Sequence, residues 1–524
     1  MNIQKLSPEV LNCIFEMLPD ILQKDHWTML TERAKRNAGL YERFKQDSVD
    51  SDSDSIAGVS LSAYTYDESA DREEKVPTAL PETSFPAAVA RVCRQWSDIL
   101  SKHPEYWENI VFDLRENPND LINCFSWTEH LGSSIRVSIL APTEVDTKLD
   151  PITEQSRVSR ITRALVPHIH RCLSIDFAVT HVSSLPPLPL IYQHASSSLL
   201  NLKLSAKQFE VVQTDLIGNQ PITTVTQAGA LDMIHPTSSA PTMLSDLVLH
   251  SEIFISLTQK YHDWLQLFVK TEVELFAILD GVFSSPANPS PNIRSIAELL
   301  EPLDQLFKVW QGDLILEDIS VLEGNSPLDP DTDLICSITA KNLLVSKSNQ
   351  HFWSSFFALA EVAHDTQLVI MDTIFPSMPH IIDVGYVELV GIGPDSKVEN
   401  FFEVWDGDCL LGGGCSCFTD SALDILSNNT ETLDAGKVYG ISLSVLILKG
   451  CTGFTSTGLR KFIERRIGID NLWSPLADVL VTGDLPVILA NDREWFSENL
   501  GGVNCHLSWI DRSRAGRPTK FQWH

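Results

Sequence analysis

Beyond about residue 110 the apolar positions fall into short runs that alternate with polar ones, each closed by a polar turn. "SSIRVSIL" (133–140) and "HRCLSIDFAV" (170–179) alternate at period two, which predicts strands with one buried face. On the same alternation His168 and His170 of "PHIH" share a face, open to a ligand pair or to a capping or surface role.

A sharper pattern follows. "LLNLKL" places Leu199, Leu202 and Leu204, and "LSDLVL" places Leu244, Leu247 and Leu249. "LSVLILKGC" supplies Leu443, Leu446, Leu448 and Cys451, the L-x-x-L-x-L-x-x-C signature of a leucine-rich repeat. "LADVLVTGD" imitates it with Leu476, Val479, Val481 and Asp484. In that frame the x-L-x-L portion makes a short strand facing a shared core, and the cysteine turns the chain off it. "STGLRKFIERRIG" then predicts a return helix with Leu459, Phe462 and Ile463 facing inward. Between about 255 and 400 no crisp period is visible. There "WLQLFVKTEVELFAILDGVF" (264–283) and "FWSSFFALAEVA" (352–363) read as buried helices, separated by the Pro-rich loops "SSPANPSPNI" and "NSPLDPDTD".

The beginning of the chain has a helical period instead. In "SPEVLNCIFEML", Ser7 is an N-cap, Pro8 suits the first helical position and Glu9 the positive helix end. Leu11, Ile14, Phe15 and Leu18 make one apolar stripe, and Pro19 closes it. Residues 24–82 break the pattern and include the acidic serine tract "DSVDSDSDS", which predicts a disordered insertion. Order returns near Pro86: Val89, Val92, Cys93, Trp96 and Leu100 line one helical face, and Pro104 opens a short turn presenting Tyr106 and Trp107. These residues are expected to pack against the 7–18 helix across the insertion, since closure entropy grows only slowly with loop length.

Composition narrows the function classes. The 524 residues carry a formal charge of -30, which argues against nucleic acid or an anionic membrane as partner. Only the tail, 511–524, is locally basic, with Arg512, Arg514, Arg517 and Lys520. No secretory signal and no apolar run long enough to span a bilayer is evident, and ten cysteines are too few for a disulfide scaffold. A reduced cytoplasmic or nuclear setting is the expectation.

The search for chemistry finds no phosphate loop, no H-E-x-x-H and no G-x-S-x-G elbow. The densest cluster is "WDGDCLLGGGCSC", where Cys409, Cys415 and Cys417 stand beside Asp406 and Asp408. With His506 as a fourth ligand they would suit zinc, yet the C-x5-C-x-C spacing is that of no standard site. Buried cysteines beside a glycine turn are the reading adopted, with no metal, cofactor or enzyme active site assigned.

"LSPEVLNCIFEMLPD" (6–20) together with "FPAAVARVCRQWSDILSKHPEYWENI" (85–110) resembles the F-box of the F-box-like proteins of mushroom-forming fungi. The residues carrying the resemblance are Leu6, Pro8, Glu9, Leu11, Ile14 and Phe15, then Val92, Cys93, Trp96, Pro104 and Trp107. "FSWTEHLGSSIRVSIL" and "LVPHIHRCLSIDFAV" resemble segments that follow in those proteins, with Cys172 where a tryptophan often stands. The insertion 24–82 is unusually long for the family. The resemblance implies a substrate receptor: the F-box helices dock on the Skp-type adaptor of a cullin–RING ubiquitin ligase, and a degenerate leucine-rich repeat holds the target. Its alternative is a repeat-containing interaction scaffold that does not bind the adaptor. The expected architecture is α/β, a small all-helical F-box head (1–110) followed by a leucine-rich-repeat-like solenoid (111–510) and the basic tail.

Overall fold

The computed structural model describes residues 90, 94–129, 135–141, 149–208, 244–261, 265, 268–269, 273–287, 289–290, 293–322, 334–377, 381–427, 442–467, 476–483, 485–500, 505–511 and 519–523. The chain divides into two compact units, Met1–Thr180 and His181–His524, a boundary that falls within the segment the sequence assigns to the solenoid. The helix expected at 7–18, the insertion 24–82 and most of the basic tail lie outside the described residues.

The first unit sets helices beside three parallel strands. Helix α1 (Arg94–Leu100) leads through a 3-10 turn (Pro104–Trp107) into β1 (Asn109–Asp113); α2 (Cys124–Trp127), β2 (Ile135–Leu140), α3 (Pro151–Leu165) and β3 (Cys172–His181) follow. β2 pairs in parallel with both β1 and β3, aligning Ile110, Val137 and Ile175. The alternation seen in the sequence sends Ile135, Val137 and Ile139 inward, with Ile175, Phe177 and Val179 beside them, all at most 1% exposed. Helix α3 starts where the Asp150 carboxylate accepts the Thr153 N–H at 2.9 Å, with Pro151 in the first turn. Its buried stripe is Val158, Ile161 and Leu165. The buried Arg171 ties this layer to α2 by donating to the carbonyls of Phe125 (2.9 Å) and Thr128.

The second unit is an α/β array in which parallel strands alternate with helices, a solenoid-like arrangement. Its elements in order are α4 (Leu188–His194), β4 (Asn201–Gln208), β5 (Asp246–His250), α5 (Ser251–Lys260), β6 (Leu275–Phe283), α6 (Ala297–Phe307), β7 (Asp313–Val321), β8 (Cys336–Ile338), β9 (Asn342–Ser346) and α7 (Gln350–Leu359). Then come β10 (Ala360–Val362), β11 (Gln367–Met371), β12 (Tyr386–Val390), α8 (Val398–Phe402), β13 (Cys409–Gly413), α9 (Asp420–Ser427) and β14 (Val445–Lys449). The series closes with α10 (Ser456–Ile467), β15 (Asp478–Gly483), α11 (Ala490–Asn499), β16 (His506–Asp511) and β17 (Thr519–Trp523). From β5 to β16 each strand pairs in parallel with the one before it, except that β8 and β10 form a separate pair and β9 and β11 pair across them. β17 turns back antiparallel on β16.

Register makes the core a set of rows. Leu247, Phe276, Leu314, Leu343, Leu368, Val387, Leu410, Leu446, Val479 and Leu507 form one, and none is more than 1% exposed. Each such side chain contributes about 1.5–3 kcal/mol when removed from water. A second row, two residues on, holds Leu249, Ile278, Leu316, Val345, Ile370, Leu389, Leu448 and Val481. Gly412 takes the place between Leu389 and Leu448, and the ring of Phe418 fills the space: a Cβ there would lie 2.4 Å from it.

The same register aligns a backbone feature. Asp280, Asp318, Lys347, Asp372, Gly391, Gly414, Gly450 and Gly483 occupy one row, and every one has positive φ. Lys347, Asp372, Gly391, Gly414 and Gly450 are left-handed corners just past their strands, whereas Asp280 and Asp318 lie within β6 and β7, which stay paired beyond them; glycine adopts this conformation without steric cost.

Several sequence readings change. Residues 275–283, expected within a helix, are strand β6. The helix at 352–363 runs Gln350–Leu359 and gives way to β10. His168 and His170 sit in a 3-10 turn, Val166–Arg171, not on an alternating strand. The segment 255–400, without a visible period in the sequence, continues the in-register array. The return helix after Cys451 is α10, with Leu459, Phe462 and Ile463 buried.

Candidate functional site

Of the residues carrying the F-box resemblance, Leu6, Pro8, Glu9, Leu11, Ile14, Phe15, Val92 and Cys93 lie outside the described residues. Trp96, Pro104 and Trp107 lie within them. Helix α1 buries Trp96, Ile99 and Leu100 on one face. Pro104 opens the 3-10 turn, where its fixed φ fits and its missing N–H costs nothing. That turn drives Trp107 inward to 1% exposure, with its indole N–H donating to the Leu100 carbonyl at 3.0 Å. The bond holds the end of α1 to the turn. The ring then packs edge-on against Trp127, centroids 4.9 Å apart at 62°. Trp127 has no role in the sequence reading. Its signal was the motif "FSWTEHL", quoted for resemblance and not for packing.

The second candidate surface is the face of the large sheet turned away from the core rows. Its middle row runs Ala277, Ile315, Leu344, Val369, Glu388 and Leu411; the five apolar side chains are at 0–6% exposure and Glu388 between them is half-buried, so the centre of this face is largely closed to solvent from β6 to β13 except at Glu388. Ile447 and Leu480 continue the row half-buried. Polar groups run along the rims. Asn342 donates to Asp313 across neighbouring strands at 2.8 Å, with Gln367 next in the row. Near the corner row Glu317 accepts from Lys347 at 2.7 Å. Asp280 lies beside Asp318, and its carboxyl is pushed up to about 6, first by burial and then by the charges of Asp318 and Glu317. This rim is acidic, and its side chains are the accessible part of the face.

A third cluster stands at the opposite ends of the strands. His364 Nδ1 is 2.9 Å from Asp383 Oδ1 and its Nε2 is 3.4 Å from Asp408 Oδ2. Carboxylates only accept, so the protonated ring, with a donor on each nitrogen, is the form this arrangement favours. The Asp383 hydrogen bond is the main cause that raises its pKa above the ordinary histidine value, with the charges of Asp383 and Asp408 adding to it against partial desolvation.

The cysteines do not assemble as the zinc reading required. Cys409 begins β13 on the outer face, and burial, with Asp408 and Glu388 nearby, pushes its thiol up to about 12. His506 shares its row two further strands beyond β14, a separation of about 14 Å at ordinary strand spacing. Cys415 and Cys451 instead follow equivalent corners of adjacent coils, where both are fully buried, with Cys417 buried two residues on. The sequence signal for that equivalence was present: "LLGGGC" repeats the frame of "LILKGC", with Gly412 where the second leucine belongs. Among the described residues no group of His, Cys, Asp or Glu side chains is arranged to hold a metal ion. No helix among them is long and apolar enough to cross a membrane. Comparison with protein-family models and with curated proteins returns no match.

Proposed function

We propose that this chain is the substrate-recognition subunit of a Skp/cullin/F-box ubiquitin ligase. Its N-terminal helices bind the Skp-type adaptor, and its repeat unit, of the leucine-rich type, binds a target protein for ubiquitin conjugation. The observation that carries the reading is the 94–107 segment, a short helix and a proline-opened turn closed by the Trp107 to Leu100 bond, at the place in the sequence where the F-box resemblance requires it. The L-x-x-L-x-L-x-x-C frame and the in-register array support the second half of the reading. The chemistry belongs to the partner enzymes, so this subunit itself is a binding protein. Its acidic rim favours a target with a basic surface, since opposite potentials steer and orient an encounter.

The unusual length of the 24–82 insertion favours a second reading, a non-ligase repeat scaffold whose helices no longer assemble the adaptor surface. Co-elution separates the two: the full chain mixed with the host's Skp-type adaptor and passed over a size-exclusion column elutes as a complex if it is a receptor. Separate peaks for two folded proteins would favour the scaffold.

A further inference from the structure

Among the described residues, surface arginines are commonly met by a carboxylate or a ring. Arg94 pairs with Asp98, Arg294 with Glu252 and Glu298, Arg460 with Asp492 and Arg465 with Asp424, while Arg493 lies over the Phe521 ring. Helix α3 is different. Its Arg157, Arg160 and Arg163 recur at every third position, about 4.5 Å apart along the axis, on one face. Arg160 and Arg163 are exposed and Arg157 is half-buried. Arg157 donates to the Leu114 carbonyl and Arg160 to Asn119 Oδ1 at 3.3 Å, each through one of the five N–H groups a guanidinium carries. Among the described residues none of the three meets a carboxylate. The acid within α3, Glu154, is fully buried and accepts the Thr180 N–H at 3.0 Å, so it leaves the face positive. Asp120, exposed on the turn that carries Asn119, offsets part of the charge at the Arg160 end.

The sequence holds a segment whose charge matches this face. Residues 47–55, "DSVDSDSDS", carry Asp47, Asp50, Asp52 and Asp54 with no basic residue among them. In an extended chain alternate residues share a side and stand about 6.7 Å apart, so Asp50, Asp52 and Asp54 would face the three arginines together. The tract precedes α3 within the same unit, Met1–Thr180. The chain from 56 to 93 reaches roughly 130 Å at full stretch, against a radius of gyration of about 16 Å for a unit of that length. The connection therefore sets no limit on where the tract can settle. Tethering also holds it at an effective concentration on the order of millimolar, at which contacts too weak to retain a free peptide retain a linked one.

We propose that the Arg157, Arg160 and Arg163 face of α3 is an intramolecular docking site for the acidic serine tract 47–55. The aspartate carboxylates accept from the remaining guanidinium N–H groups, with exposed Arg160 and Arg163 making the main contacts and half-buried Arg157 adding charge beside them. The contact lies at the surface, so salt weakens it: charges are screened beyond about 10 Å at 0.1 M. Its role is to station the long insertion on the first unit. The proposal is independent of adaptor binding.

The test follows a fluorescent peptide of residues 46–56 by anisotropy at low salt as it is titrated with three full-length chains. The first is wild type. The second carries Asp47→Asn, Asp50→Asn, Asp52→Asn and Asp54→Asn, which leaves the arginine face without its own occupant. The third adds Arg160→Gln and Arg163→Gln to the second. The expected result is that the second chain binds the peptide and that wild type binds it about tenfold more weakly, because its tethered tract competes. The third chain should also bind at least about tenfold more weakly than the second, and raised salt should abolish binding by all three. Equal affinity of the first two chains would overturn the proposal, as would equal affinity of the second and third or no binding by the second. The comparison of the first two leaves α3 untouched, so it decides the matter even if the arginine variant fails to fold.

Discussion

Asp280, Asp318, Lys347 and Asp372 hold the left-handed corner that glycine holds in the later coils. For an L-residue that conformation costs roughly 1–2 kcal/mol, somewhat less for aspartate. Asp318 is exposed and beside another carboxylate, so it has little to set against the cost. Asp318→Gly is therefore expected to raise stability by about 1 kcal/mol in urea unfolding, and a lower midpoint would contradict the steric account. Lys347→Gly should be close to neutral, because the relieved corner is offset by loss of the exposed Glu317 pair, worth about 0–1 kcal/mol. Trp107 poses the opposite case. Trp107→Ala empties a fully buried site and removes the indole's hydrogen bond to the Leu100 carbonyl, and should cost about 3–5 kcal/mol. His364 adds a pH dependence of definite sign. Its folded pKa is raised, so its contribution is whole below the unfolded value of about 6.5 and is lost as pH rises through the folded one. The urea midpoint of wild type should fall across that window relative to His364→Gln; parallel profiles would show that the clamp adds nothing.

The elements show why the sequence was legible in some coils and not in others. β2, β14 and β15 alternate buried and half-exposed residues, and the period-two signal survives. In β6 it does not. Leu275 and Ala277 on the outer face are as buried as Phe276 and Ile278 on the inner, leaving a continuous apolar run that reads as a helix. The equivalence of Cys415 and Cys451 was hidden by one residue, since glycine replaces leucine in the frame and Phe418 supplies the missing bulk from outside it. His168 and His170 were misplaced because Pro167 ends α3 in a 3-10 turn before the strand begins. Helix α10 yields a prediction in which packing opposes propensity. Gly→Ala in a helix interior gains about 1 kcal/mol by propensity alone. A Cβ on Gly458, however, would lie 2.0 Å from Asp420 Oδ1, which accepts the Thr455 N–H at 2.7 Å. Gly458→Ala is expected to lower the unfolding midpoint by displacing that carboxylate, and a higher midpoint would mean that Asp420 moves freely.

For the molecule as a whole, parallel strands paired mostly in chain order give each coil only its neighbours to lean on, so stability is close to a sum of coil and interface contributions. The sheet's outer face is largely closed along its centre between β6 and β13 and acidic along its rim, so on the proposed receptor reading a target would meet mainly rim side chains. The central claim concerns the other end of the chain. It is tested most directly by calorimetric titration of the full chain with the host's Skp-type adaptor, beside a chain whose residues 24–82 are replaced by a short Gly/Ser linker. The account predicts sub-micromolar binding by both, the insertion looping out without affecting the surface. No binding by either, with circular dichroism showing both folded, would contradict it and leave a repeat scaffold outside the ligase.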